Sequence, residues 1–159
     1  MGTATPFGLK MYDLVGHWQD PKRTDLRIGL AGVDYKGVSK VLQQEYLPGD
    51  VVVTIAAMPM GIYGGTRGDY FLEGVTAQKV IYDPGAKSPR YVDKYVGNPV
   101  LRGVEELESI CYRNKRVWLF IAPVGIFFKL QDPALVDFIN KRMKVVAESY
   151  DATLYLWDH

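Results

Sequence analysis

DYKGVSKVLQQEYLPGDVVV, residues Asp34 to Val53, holds a helix, its stop and the strand that follows. Val38, Val41, Leu42 and Tyr46 recur at the 3.6-residue period, so the spacing predicts an amphipathic helix over about 34–46. Leu47-Pro48-Gly49-Asp50 ends it. Proline cannot continue a helix, and glycine takes the left-handed backbone needed just past one. Val51 to Ile55, VVVTI, is β-branched throughout, as expected of a strand covered on both faces. A helix, a tight turn and a buried strand joined this closely form a unit of layered α/β domains.

The same alternation continues outward. Residues 3–33 read as a lead-in, in which Met11, Leu14, Val15 and Trp18 share one short helical face. After the 51–56 strand comes a glycine- and proline-rich segment, AMPMGIYGGTRGD, with a turn of helix over Met58 to Tyr63. Tyr70 to Leu72 reads as a short edge strand and Lys79 to Tyr82 as a further strand. Residues 83–102 form a long connection broken by Pro84, Gly85, Pro89, Gly97 and Pro99. A helix follows over Val104 to Tyr112, then a central strand, VWLFIA, stopped by Pro123. PVGIFFKL reads as a turn. Asp132 caps the next helix with Pro133 in its first turn, and its stripe is Leu135, Phe138, Ile139, Arg142, Met143 and Val146. Thr153 to Trp157 is the last strand. The expected fold is a single α/β domain over 1–159, with lead-in 1–33 and core 34–157. Its architecture is three-layered: a mostly parallel central sheet of about four to five strands, with helices on both faces.

Composition narrows the function classes. The chain has 159 residues, 48% apolar and 23% charged, with a formal net charge of +1, so no global field favours nucleic acid or an anionic membrane. Cys111 is the single cysteine and falls on an apolar helix face, which excludes an intrachain disulfide. His17 and His159 are the only histidines, so a His-rich metal site is excluded. No catalytic constellation, metal site or cofactor is selected by the sequence. No stretch reaches the ~20 apolar residues of a membrane span.

In a largely parallel sheet, ligands bind outside the carboxyl ends of the strands. Loops 57–69, 83–99 and 123–131 are expected to leave those ends. The first offers Tyr63, Arg67 and Asp69 among glycines whose backbone N–H groups can approach a phosphate, though it matches neither the P-loop nor the dinucleotide pattern. The second offers Lys87, Arg90, Tyr91 and Lys94, cations interleaved with rings. The third places Ile126, Phe127 and Phe128 either in the core or in an exposed interaction patch.

Four segments in order resemble one family. They are DYKGVSKVLQQEYLPGDVVV; GDYFLE; GNPVLRGVEELESI; and RVWLFIAP followed by FINKRMKVVAESYDATLYLW. Together they resemble the carboxyl-terminal soluble region of GT-C type membrane glycosyltransferases, related to the dolichyl-phosphate-mannose protein mannosyltransferases. The resemblance implies a domain on the extracytoplasmic side, joined to the transmembrane portion of the same polypeptide. It also implies a polyprenyl-phosphate sugar donor, a protein, lipid or glycan acceptor, and catalytic acids in a loop outside this chain. Two alternatives stay open: a free-standing α/β protein binding a phosphorylated small molecule through loop 57–69, and a protein or membrane interaction module.

Overall fold

The computed structural model describes residues 33–73, 80–85 and 90–159. The expected lead-in helix, Lys79, Lys87 and His17 lie outside the described residues. Five helices and eight strands are described. The helices are α1 (Tyr35–Glu45), α2 (Ala57–Tyr63), α3 (Val104–Arg113), α4 (Val124–Leu130) and α5 (Pro133–Arg142). The strands are β1 (Val51–Thr54), β2 (Tyr70–Leu72), β3 (Val80–Asp83), β4 (Arg90–Asp93), β5 (Val100–Leu101), β6 (Arg116–Ile121), β7 (Lys144–Ser149) and β8 (Ala152–Asp158).

Six strands form one sheet in the order β5-β2-β1-β6-β8-β7. Neighbours β5, β2, β1 and β6 pair in parallel, while β8 runs antiparallel to both β6 and β7. Five of the six therefore point one way. Strands β3 and β4 form a separate antiparallel hairpin, tied to the β5 side through the bridge Val92–Pro99.

Strand β6 is buried on both faces after Arg116, and its side chains alternate between two cores. Val117, Leu119 and Ile121 join one core with Val53, Leu107, Cys111, Phe127, Leu135, Ile139, Tyr155 and Trp157. Trp118 and Phe120 join the other with Val38, Leu42, Val52, Met60 and Leu154. Helices α1 and α2 cover one face of the sheet, and α3, α4 and α5 the other. The expected three-layer α/β architecture is the one formed, with a sixth strand added.

Local sequence explains the helix boundaries. Asp34 Oδ1 accepts the Gly37 N–H at 2.7 Å, and Asp132 Oδ1 accepts the Ala134 N–H at 2.7 Å with Pro133 in the first turn. Gly49, at φ 97°, makes the turn out of α1. Beside it the Asp50 carboxylate is buried, accepting the Leu47 N–H at 2.9 Å and the Trp118 indole N–H at 2.7 Å through Oδ2. Arg116 Nε stands 3.5 Å from its Oδ1, and Arg116 also donates to the Glu45 carbonyl at 3.2 Å.

Several elements depart from expectation. Strand β2 is interior, because β5 pairs with it and takes the edge of the sheet. The long connection 83–102 contains β4 and β5. PVGIFFKL forms α4 rather than a turn. Helix α5 ends at Arg142, and Val146 belongs to β7, whose pairing with β8 shifts register between Val145 and Ala147.

Replacing Asp50 with Ala leaves the buried Trp118 indole N–H and the part-buried Leu47 N–H without their acceptor and Arg116 without its ion-pair partner, and is expected to destabilise the fold by about 3 kcal/mol. Trp118→Phe keeps most of the apolar contact and should lose about 1–2 kcal/mol. Urea unfolding midpoints check both. An Asp50→Ala variant within about 0.5 kcal/mol of the parent would show that the turn and β6 hold together without the carboxylate.

Candidate functional site

Sheet direction separates the candidate residues into two groups. Helix α2 runs back from the carboxyl end of β1, so the glycine segment after it lies at the amino edge. Three hydrogen bonds fix that placement. Asp69 Oδ2 accepts the Val52 N–H at 2.7 Å, Gln43 Nε2 donates to the Tyr63 carbonyl at 3.1 Å, and Asn98 Nδ2 donates to the Arg67 carbonyl at 2.6 Å. Tyr63, Arg67 and Asp69 thus sit at the amino edge. Lys94 joins them there, in a turn where Asp93 accepts the N–H groups of Tyr95 (3.1 Å) and Val96 (2.9 Å). The Asp69 carboxylate is committed to β1, continuing the ladder that Asp69 N–H begins by donating to the Val52 carbonyl at 2.7 Å.

Arg90 and Tyr91 begin β4, which runs against β5, and so lie toward the carboxyl edge. There the Arg102 guanidinium covers the Tyr91 ring at 3.7 Å and pairs with Glu73 at 3.4 Å. Tyr82 meets Tyr91 edge-on at 5.6 Å. Loops 57–69 and 83–99 therefore do not assemble one phosphate-binding crevice. Arg90 and Tyr91 stand at the opposite edge of the sheet from Tyr63, Arg67, Asp69 and Lys94.

The residues of the third loop divide between core and surface. Phe127 is 1% exposed and belongs to the core rather than to an interaction surface, since α4 turns it inward against Phe128 (5.4 Å). Phe128 is half-buried and meets Tyr155 at 6.3 Å. Ile126 alone of the three is exposed, and Leu130, one turn on, is exposed with it.

Strand order puts the topological switch point between β1 and β6, because β1 connects toward β2 on one side and β6 toward β7 on the other. The chain beyond these two ends reads Ile55-Ala56-Ala57-Met58 and Ala122-Pro123-Val124-Gly125. The polar groups nearby hold loops together. Asp151 Oδ1 accepts the Gly125 N–H at 2.7 Å and its carbonyl accepts the Val124 N–H at 2.9 Å. Ser149 Oγ donates to Asp34 Oδ2 at 2.9 Å, and the Tyr150 carbonyl accepts the Asp34 N–H at 3.0 Å. Tyr150 and Asp151 make that turn at φ 35° and 54°, the left-handed region that a tight β-hairpin requires. Among the described residues, no three His, Cys, Asp or Glu side chains gather to hold a metal ion.

Sequence reasoning missed a cleft of about 430 Å³ at the amino edge, lined by Leu42, Gln43, Tyr46, Gly64, Gly65 and Thr66. Tyr46 is the informative member. Counted into the buried stripe from its spacing, it is instead the residue that ends α1, at ψ 131°, and its side chain swings out to 44% exposure. The Leu47-Pro48 step that follows it was the available signal, since a residue at a helix end loses the helical direction of its side chain.

Compared with protein-family models, curated proteins and solved structures, the chain matches none.

The perturbed titratable groups lie in the cores. Burial, then the Asp151 charge, pushes the Tyr35 phenol up to about 12. Burial, then Glu108, pushes the Cys111 thiol up to about 12. Burial, then Glu148, raises Tyr155 against a lowering hydrogen bond with Thr153. Unfolded, these groups release protons near their ordinary values, 9.0 for the thiol and 10.0 for the phenols, while the native state keeps them. The unfolded state then binds fewer protons, so stability falls as pH rises. Their contribution is expected to be full below about pH 9 and to be lost progressively toward about pH 12. Urea midpoints across that range check the slope, and Tyr35→Phe should flatten part of it.

Proposed function

We propose that this chain is the accessory extracytoplasmic domain of a membrane-bound GT-C type glycosyltransferase. That enzyme uses a polyprenyl-phosphate sugar donor and keeps its catalytic acids elsewhere in the polypeptide. The domain helps position donor or acceptor next to the membrane-embedded site. One observation carries this reading: the switch point between β1 and β6, where such a sheet would hold a reacting substrate, is fronted by alanine, proline, methionine and valine. The nearby carboxylates of Asp34 and Asp151 already accept backbone N–H groups. The resemblance adds support as a unit. Its segments build α1 and β1, β2, β5 and α3, β6, and part of α5 through β8, which includes all four adjacent parallel strands. No helix among the described residues is long and apolar enough to cross a membrane; in this reading the spans are in the rest of the enzyme.

A second reading is favoured by Arg67, which is exposed beside the glycine segment at the amino edge. There the chain would bind a phosphorylated small molecule as a free-standing protein. Thermal shift against sugar phosphates tests it: a shift that Arg67→Ala abolishes would support it, and no shift at millimolar ligand would remove it.

The glycosyltransferase reading predicts that the reading frame upstream encodes several apolar stretches of about 20 residues. It also predicts that deleting this domain from the membrane enzyme lowers sugar transfer, and that the chain alone transfers none. Transfer by the isolated chain, or a natural protein beginning at Met1, would overturn it.

A further inference from the structure

We propose that the amino-edge cleft binds a neutral sugar residue, with the Tyr46 ring as its stacking platform and Gln43 and Thr66 as its hydrogen-bonding groups. Its volume, about 430 Å³, lies within the range of ordinary small-molecule sites. None of the six lining side chains carries a charge at neutral pH, so the walls offer no counter-ion to a phosphate or a carboxylate. They offer instead an amide, two hydroxyls and a half-exposed ring, with the buried Leu42 behind them. That pairing of an apolar face with neutral donors and acceptors matches a pyranose, which presents C–H groups on its faces and hydroxyls around its rim.

The groups are also held in place before any ligand arrives. The Tyr46 hydroxyl donates to the Asp50 carbonyl at 3.3 Å, fixing the ring. Gln43 Nε2 donates to the Tyr63 carbonyl, which leaves its Oε1 as an acceptor. Thr66 Oγ1 accepts the Gly68 N–H at 3.1 Å, so its hydroxyl proton remains to be donated. Preorganised groups lose little freedom on binding. The glycines suit their places: a Cβ at Gly65, which has φ 69°, would crowd the cleft-lining Gln43 amide at 3.3 Å, and one at Gly64 would fall 2.9 Å from the Met60 carbonyl oxygen. Behind Gly64 the buried Ser39 Oγ has no hydrogen-bond partner among the described residues.

Assigning this sugar to the acceptor glycan, or to the sugar of the lipid donor, rests on the glycosyltransferase reading. Binding itself does not. Titration of the ¹⁵N-labelled chain with neutral methyl hexosides, and separately with a hexose 1-phosphate, tests the proposal. Saturable millimolar shifts with the neutral glycosides are expected, centred on the amides of Gln43, Tyr46 and Gly64–Thr66. Tyr46→Ala, with an unchanged circular dichroism spectrum, should weaken binding at least about tenfold, whereas Tyr46→Phe, which keeps the ring, should stay within about threefold. A hexose 1-phosphate that binds equally well at the same amides also supports the cleft, and points to the donor. No shifts up to about 100 mM, shifts with the phosphate alone, or undiminished binding by Tyr46→Ala would overturn the proposal. Failure here leaves the glycosyltransferase reading to its own tests of reading frame and transfer.

Discussion

One buried carboxylate joins the parts of this fold that the chain makes far apart. Asp50 closes the turn out of α1 through the Leu47 N–H, and it reaches across to β6 through the Trp118 indole. Arg116, at the start of that strand, faces the same carboxylate and also bonds the last carbonyl of α1. A carboxylate this buried is tolerated only where donors satisfy it. Satisfying it sets α1 against the sheet and brings the amino ends of β1 and β6 level, which agrees with their pairing from Val51–Val117 onward. The same carbonyl-and-carboxylate turn fixes Tyr46 at the cleft, so core and surface share one anchor.

Much of the layering was legible because its causes are local. The period through Val38, Val41 and Leu42, the Pro48-Gly49 stop, the β-branched run and the Asp132-Pro133 cap each act within a few residues. What failed was non-local or ambiguous. Ile139, Met143 and Val146 keep a helical spacing past Arg142, yet pairing with β8 draws 144–149 into a strand. Gly125 and the brevity of α4 disguised that helix, and with it the burial of Phe127. β4 and β5 are too short to announce themselves on either side of Gly97 and Pro99, and only their partners, β3 and β2, define them.

Of the candidate site, the residue types were legible and their grouping was not. Arg67, Lys94, Arg90 and Tyr91 lie within a few dozen positions, but β4 reverses direction and places the last two toward the far edge of the sheet. The topology thus yields two edges of different character. One edge is apolar at the switch point, with Met58 and Ile126 exposed beyond β1 and β6. The other carries Arg67, Asp69 and Lys94 and, within its cleft, neutral polar groups around the Tyr46 ring.

The outermost strands have a consequence of their own. β7 breaks its rhythm between Val145 and Ala147 and carries Lys144 and Glu148 on exposed positions, while β5 is two residues long and its side is screened by the Val92–Pro99 bridge. Neither rim offers a straight, uncharged run of peptide groups for another chain to zip onto. Strand addition by a second copy is therefore disfavoured at these two rims.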